Sequence, residues 1–328
     1  MGKKDDYQFD YLDDNRRFAD QINGALFNGR QIVKPEELEP EETQVISTFG
    51  KPETKNIKTI VDKVRFWKGN KIHILAIENQ NYVDYQMVLR NMLSESNGYH
   101  KQWKQKRHTH EEAHDLKDRD EYLSGMKKEE KFEPIITLVV YFGGEHPWDG
   151  ARCLHDLLDI DEEFKKYVTN YRLNLYDCQE HDTFEEYRTG LRQVFESLRY
   201  SKDKERLKEI MEENKEAYSN IDRETRDMLE VVANIKIPEK FKTVEEGRER
   251  YDMCKAFEDM RQEGYDEGIS KGIEQGIEQE KEQGIRILIQ TCQELGLTAD
   301  SITEKCAEKY EMSREIAGKY VKEYCLCK

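Results

Sequence analysis

Residues Pro134–Phe142, PIITLVVYF, are apolar at nearly every position. A strand with one face in water alternates apolar and polar residues, so an unbroken run predicts a strand in the middle of a sheet covered on both faces. A second run, Lys71–Gln80 (KIHILAIENQ), is apolar at its centre and polar where it ends, the pattern of another strand. Between the two, Tyr82–Arg107 reads as a long helix with Met87, Leu89, Met92 and Leu93 inward and a basic C-terminal half. Residues 59–67 read as extended and Arg172–Tyr176 as a shorter strand. Near the start, Asp14-Asn15-Arg16-Arg17 opens an amphipathic helix on which Phe18, Ile22 and Leu26 share a face, and Asn28-Gly29 ends it. Gly143-Gly144 closes the apolar strand, and residues 183–232 follow as a charged helical stretch.

Charge limits how much of the chain can be core. Of 328 residues, 37% are charged and 36% hydrophobic, above and below the usual globular shares. One sizeable core plus solvated helical regions is expected, within the roughly two domains that this length allows. The longest apolar run is about half of what a bilayer helix needs, so no membrane span is expected. The opening MGKKDDYQFD lacks the apolar stretch of a secretory signal, and Asp6 breaks the myristoylation pattern. Seven scattered cysteines fit reduced thiols, hence a cytoplasmic protein. The formal net charge is −16. Yet residues 51–110 carry twelve Lys and Arg against five Asp and Glu, a local balance of +7 inside an otherwise acidic chain. Such a patch, or a set of solvated faces, both fit that asymmetry.

The last quarter changes character. Gly264, Gly268, Gly272 and Gly276 recur every four residues, Gly284 follows, and isoleucines succeed most of them at Ile269, Ile273, Ile277 and Ile285. Each glycine costs a helix about 1 kcal/mol relative to alanine. The repeat therefore reads either as a close helix–helix contact, giving a homo-oligomer, or as a frayed arm. Residues 298–328 read as a small helical cap. The expected division is 1–200, a charged helical region over 201–262, and the glycine-repeat arm with its cap over 263–328.

The chemistry-bearing residues lie beside the early strand. Glu78 and Gln80 sit at its end, two apart, and so point the same way. Asp62 lies sixteen residues upstream in the extended segment, and an antiparallel pairing would bring it to Glu78. Two carboxylates there would make a hard-oxygen site suited to Mg²⁺. Two solvent-facing acids at loop edges fit the same spacing.

A wider set of segments resembles a known family. Arg16–Asn23 with Gly29–Leu38, Ala76-Ile-Glu-Asn-Gln80, Tyr85–Leu93, Val139–Gly143 with Trp148-Asp-Gly150, Tyr200–Lys204, Met253–Met260 and the glycine repeat are similar to the Rpn, or YhgA-like, transposase branch of the PD-(D/E)XK nucleases. Gln86 and Val88 stand where family members commonly have Ala and Pro, and Val61-Asp62 replaces the common Arg-Asp pair. The resemblance implies an α/β restriction-endonuclease-like fold, a mixed sheet flanked by helices with a helical C-terminal extension. It implies Mg²⁺-dependent (or Mn²⁺-dependent) cleavage of DNA phosphodiester bonds, with Asp62 and Glu78 as metal ligands and Gln80 orienting water where relatives carry lysine. Asp20 matches a third acidic ligand of some superfamily members. Arg90, Lys101, Lys104 and Arg107 would meet backbone phosphates. The rival is a non-catalytic nucleic-acid-binding or self-assembling protein that keeps the nuclease fold.

His110-Glu-Glu-Ala-His114 matches the HExxH zinc motif, but the surrounding sequence is too polar for a buried zincin helix. Cys325-Leu-Cys327 lacks the companion pair of a zinc site.

Overall fold

The computed structural model describes residues 3–40, 63–69, 72–143, 146–245 and 247–325. Asp62, Lys71 and Gly144 lie outside the described residues. The chain divides into two compact units, Met1–Ala256 and Phe257–Lys328, rather than at 200 and 262.

The first unit is built on a five-stranded mixed sheet in the order β1 (Leu38–Pro40), β2 (Lys63–Lys68), β3 (Ile72–Gln80), β4 (Ile135–Tyr141), β5 (Asn174–Asp177). The β1/β2 and β2/β3 pairs are antiparallel, while β3/β4 and β4/β5 are parallel. A parallel pair needs a crossover, and α3 (Met87–Ala113) supplies the first one; the short helices α4 (Arg119–Ser124) and α5 (Glu162–Lys165) lie in the connections before β4 and β5. With the helices around it and the helical region at the C-terminus, this is the restriction-endonuclease-like arrangement. Strand β4 sits between β3 and β5 and is buried along almost its whole length, Ile136 alone being half-exposed.

Alternation along the strands assigns each side chain to a layer. Val64, Ile74, Ala76 and Ile135 pack with Tyr99 of α3, and Val139 and Tyr141 pack with Met87 and Trp148. The opposite face meets α2 (Asn15–Phe27) and α6 (Leu191–Arg199). There Arg65 bonds Asn15 at 3.0 Å and its guanidinium lies 5.3 Å over Phe18. The rings of Phe142 and Tyr176 lie within 5.6 Å of Phe195. Both faces of β4 are thus covered, which is why its sequence shows no polar alternation.

The helix α2 begins and ends where its sequence asks. Asp14 caps it by accepting from the Arg16 amide at 2.7 Å, and Asn28 (φ 55°) and Gly29 (φ 78°) take the left-handed conformation after it. Asn23 is buried and stitches the following loop, bonding Val33 in both directions. Gly24 touches the buried Tyr187 ring so closely that a β-carbon would fall 2.3 Å from it.

The helix α3 departs from the expected phase. Leu89 and Leu93 face outward, and Met87, Val88, Asn91, Ser94, Gly98 and Gln102 are buried. Polar groups on α3 serve the backbone that enters β4. Gln102 bonds Glu133 in both directions, Tyr99 Oη accepts from the Ile135 amide at 3.1 Å, and Glu95 accepts from Thr137 at 3.2 Å. Gly98 lets the helix lie against Ile135. The hydrogen-bond demand of a strand entrance outweighs apolar burial on this face.

Residues 201–251 form α7 (Lys204–Glu213), α8 (Lys215–Tyr218), α9 (Arg223–Val232) and a small sheet in the order β6 (Ile221–Asp222), β8 (Arg248–Tyr251), β7 (Lys242–Glu245). They belong with the first unit because the N-terminus packs on them. Tyr11 of α1 (Lys3–Tyr11) meets Thr225 at 3.1 Å, and Arg17 pairs with Asp222 at 3.0 Å.

The second unit comprises most of α10 (Met253–Glu294) with α11 (Ala299–Lys309) and α12 (Arg314–Cys325). Ile285, Ile289, Cys292, Ile302, Cys306, Ala317 and Val321 form its core. Ile269, Ile273 and Ile277 are exposed, and beyond the helix's own backbone no described residue lies within 4 Å of the positions where Gly264, Gly268, Gly272 and Gly276 would carry a β-carbon. The Gly-Ile repeat therefore has two fates: Ile285 enters a core, and the earlier three do not. Cys153, Cys178, Cys254, Cys292 and Cys306 are free thiols. Among the described residues no helix is long and apolar enough to cross a membrane.

The Tyr187 ring is wedged among other aromatics and cannot retreat from a methyl group. Gly24→Ala should therefore destabilise the protein by about 1–2 kcal/mol in chemical denaturation, overpacking outweighing the helix-propensity gain of about 1 kcal/mol.

Candidate functional site

The C-terminal ends of β3 and β4 lie side by side, with Glu78 opposite Val139 and Gln80 opposite Tyr141. Glu78 is 4% exposed and Gln80 6%. Both point to the α3 layer, and the Gln80 amide donates to Glu78 Oε1 at 3.0 Å. The chain then crosses to α3, whose first turn brings Arg90 back to the strand end. Arg90 Nη2 lies 2.6 Å from Glu78 Oε1, and its Nη1 lies 2.5 Å from Asp84 Oδ2. Asp84 is held independently, accepting from the Gln86 amide at 2.8 Å where α3 starts. Burial would lower the Arg90 pKa, but Glu78 and Asp84 outweigh it and hold the guanidinium above its ordinary value.

The predicted residues separate into two groups. Glu78, Gln80 and Arg90 come together, although Arg90 binds carboxylates here rather than standing open to a phosphate. Asp62 lies outside the described residues, and the β2/β3 register is described as far as Lys63 opposite Ile77. Asp20 is not beside Glu78. It sits on α2, which covers the other face of the sheet, and its oxygens accept from the Arg188 and Thr189 amides and the Thr189 hydroxyl at 2.7–3.0 Å. Burial raises its pKa despite those bonds, and it clasps the turn leading into α6. On α3, Lys101 and Lys104 have no ion-pair partner among the described residues. Arg107 donates to Glu111 at 2.8 Å and lies over Trp103. Asp84 carries no motif of its own; its signal is an acid placed just before a helix, six residues ahead of Arg90.

Among the described residues no group of three or more His, Cys, Asp or Glu side chains is placed to hold a metal ion. The donors at the β3 end fit magnesium in kind, since Glu78 and Asp84 offer carboxylate oxygens and Gln80 an amide. A guanidinium bridges the two carboxylates.

The HExxH histidines are spent otherwise. Both ring nitrogens of His110 meet carboxylates, Asp115 at 2.7 Å and Glu130 at 3.0 Å, and His114 leaves the helix with φ 49°. Lys127 and Lys106 pair with the same acids.

These features define a restriction-endonuclease-like α/β domain with a buried carboxylate at a strand end. The family described as "Putative transposase, YhgA-like" matches residues 62–228, and the chain belongs to that family. Comparison with curated proteins finds no match, and comparison with solved structures finds none either.

Hydrogen bonds donated by its ring to the Glu130 and Asp115 carboxylates raise the His110 pKa above 6.5. The stabilisation is complete below that value and is lost as pH rises through the higher folded-state value. The stability advantage of the parent over His110→Gln, measured by urea unfolding, should be larger at pH 6 than at pH 9.

Proposed function

We propose that this protein is a metal-dependent endonuclease that hydrolyses DNA phosphodiester bonds, with Asp62 and Glu78 carrying Mg²⁺ or Mn²⁺. The observation that carries this reading is the buried Glu78 carboxylate at the β3 end, with the Gln80 amide beside it in the same layer. Membership of a transposase-like family adds support for DNA as the partner. Asp62 precedes Lys63 in sequence and Glu78 follows Ile77, the last described pair of the hairpin, so these two are the acids proposed as ligands. A divalent ion there would supply positive charge to a phosphoryl oxygen and acidity to water. Gln80, a neutral amide, orients the attacking water through a hydrogen bond and does not take its proton. Lys101 and Lys104 on the outer part of α3 hold backbone phosphates at a distance from the strand end, which positions the duplex without reading its sequence.

The plasmid assay separates this reading from a binding protein that keeps the fold. The parent should nick supercoiled DNA with Mg²⁺ or Mn²⁺, and Glu78→Ala should fall to background. Gln80→Ala, which misplaces the water, should lose on the order of a hundredfold in rate. A parent that binds DNA but cuts it under no metal or salt condition would establish the non-catalytic reading.

The partner proposed for the arm is a second copy of the chain. Glycines at every fourth position leave a notch beside each exposed isoleucine. In a parallel pair related by a twofold axis along the helices, the glycine row of one lies against the isoleucine row of the other. That contact would offset the helix-propensity cost of the glycines, about 1 kcal/mol each. Sedimentation equilibrium should give a dimer or larger for the parent and a monomer for Ile273→Asp.

A further inference from the structure

We infer that Arg90 is a tethered counter-ion, which neutralises Glu78 in the resting protein, yields that carboxylate to an incoming divalent cation, and then faces the substrate phosphate while still held by Asp84. The inference rests on the metal-nuclease reading and concerns the control of its site. Glu78 is almost wholly buried, and a buried carboxylate without a counter-charge is strongly disfavoured. Arg90 supplies that charge at 2.6 Å. Its guanidinium reaches outward as well, its side chain being 26% exposed and that of Asp84 19%. The bridge thus runs from the interior to the mouth of the site.

The two ends of the bridge differ. Asp84 is fixed to the start of α3 through the Gln86 amide, and Arg90 grows from the first turn of that same helix, so this contact does not depend on Glu78. The Glu78 contact joins the helix to the strand end. A cation that takes Glu78 oxygens competes with the guanidinium for the same negative charge and repels it at close range. The contact to Glu78 is the one that opens, and the planar fork that it releases suits a phosphate. Arg90 is therefore a positioning residue that sets how tightly the site takes its metal and where the phosphate lies.

Mn²⁺ titration of the full chain by calorimetry tests this, with the parent, Arg90→Gln and Glu78→Gln compared. Arg90→Gln should bind Mn²⁺ on the order of tenfold more tightly, and Glu78→Gln should lose that binding. With Ca²⁺ in place of Mn²⁺, Arg90→Gln should bind a fluorescein-labelled duplex severalfold more weakly, an opposite change that simple loosening of the fold would not give. Glu78-dependent Mn²⁺ binding in the parent that is unchanged or weaker in Arg90→Gln overturns the inference and leaves the nuclease reading standing. No Glu78-dependent binding in either the parent or Arg90→Gln sinks the nuclease reading and this inference together. Should Arg90→Gln lose its circular dichroism, Arg90→Lys keeps the charge without the two-pronged bridge. A smaller tightening of Mn²⁺ is expected there, and no tightening overturns the inference.

Discussion

Strand β4 must be kept from water on two sides at once, and the architecture of the first unit follows from that requirement. Its residues Leu138, Val139, Val140 and Tyr141 are all buried, so one helix layer cannot suffice. The helix α3 closes one face, and α2 with α6 closes the other. Because a strand sends successive side chains to opposite sides, this division also sorts the acids. Glu78 falls in the α3 layer and Asp20 in the α2 layer. Two carboxylates that sequence likeness would place on one metal are parted by the thickness of the sheet.

That sorting sets the electrostatics as well. Each buried acid has to be satisfied within its own layer. Asp20 is satisfied by backbone amides, a fixed and structural solution that joins α2 to the turn before α6. Glu78 is satisfied by a side-chain cation and an amide, which can move. Asp177, at the end of β5, follows Asp20: its oxygens accept from the Trp148 and Gln179 amides, and burial raises its pKa. Of the three, Glu78 alone takes all of its described bonds from side chains, whereas Asp20 adds the Thr189 hydroxyl to its backbone amides.

The strands were legible because their patterns report burial directly. PIITLVVYF announced a strand covered twice, and the polar end of KIHILAIENQ announced where the site residues begin. Asp14 and Asn28-Gly29 marked the ends of α2 through local capping chemistry. The phase of α3 was not legible: Leu89 and Leu93 lie outside, because the inward face was recruited to bond the entrance of β4. Such a demand is set by partners 31 to 42 residues away and leaves no periodicity. The small sheet of residues 221–251 was hidden for a related reason, since Arg248-Glu-Arg-Tyr251 carries its strand on charged residues paired across strands, Lys242 with Glu249 among them. At the site, Glu78 and Gln80 could be read, while Asp84 and its hold on Arg90 could not, because that contact depends on how the chain turns between β3 and α3.

The joining of the two ends of the first unit bears on how the chain is made. Tyr11 meets Thr225 and Arg17 meets Glu224, contacts that span 214 and 207 residues of sequence. During synthesis from the N-terminus, α1 and α2 emerge long before the segment on which they pack. Until about two hundred further residues have left the ribosome, the side of α1 that meets α9 has no native cover. Contacts of such long range are slow to form, and uncovered apolar surface of this kind invites association in the meantime. The contact of α1 with α9 is therefore among the late ones of this domain, although α1 precedes α9 by about two hundred residues.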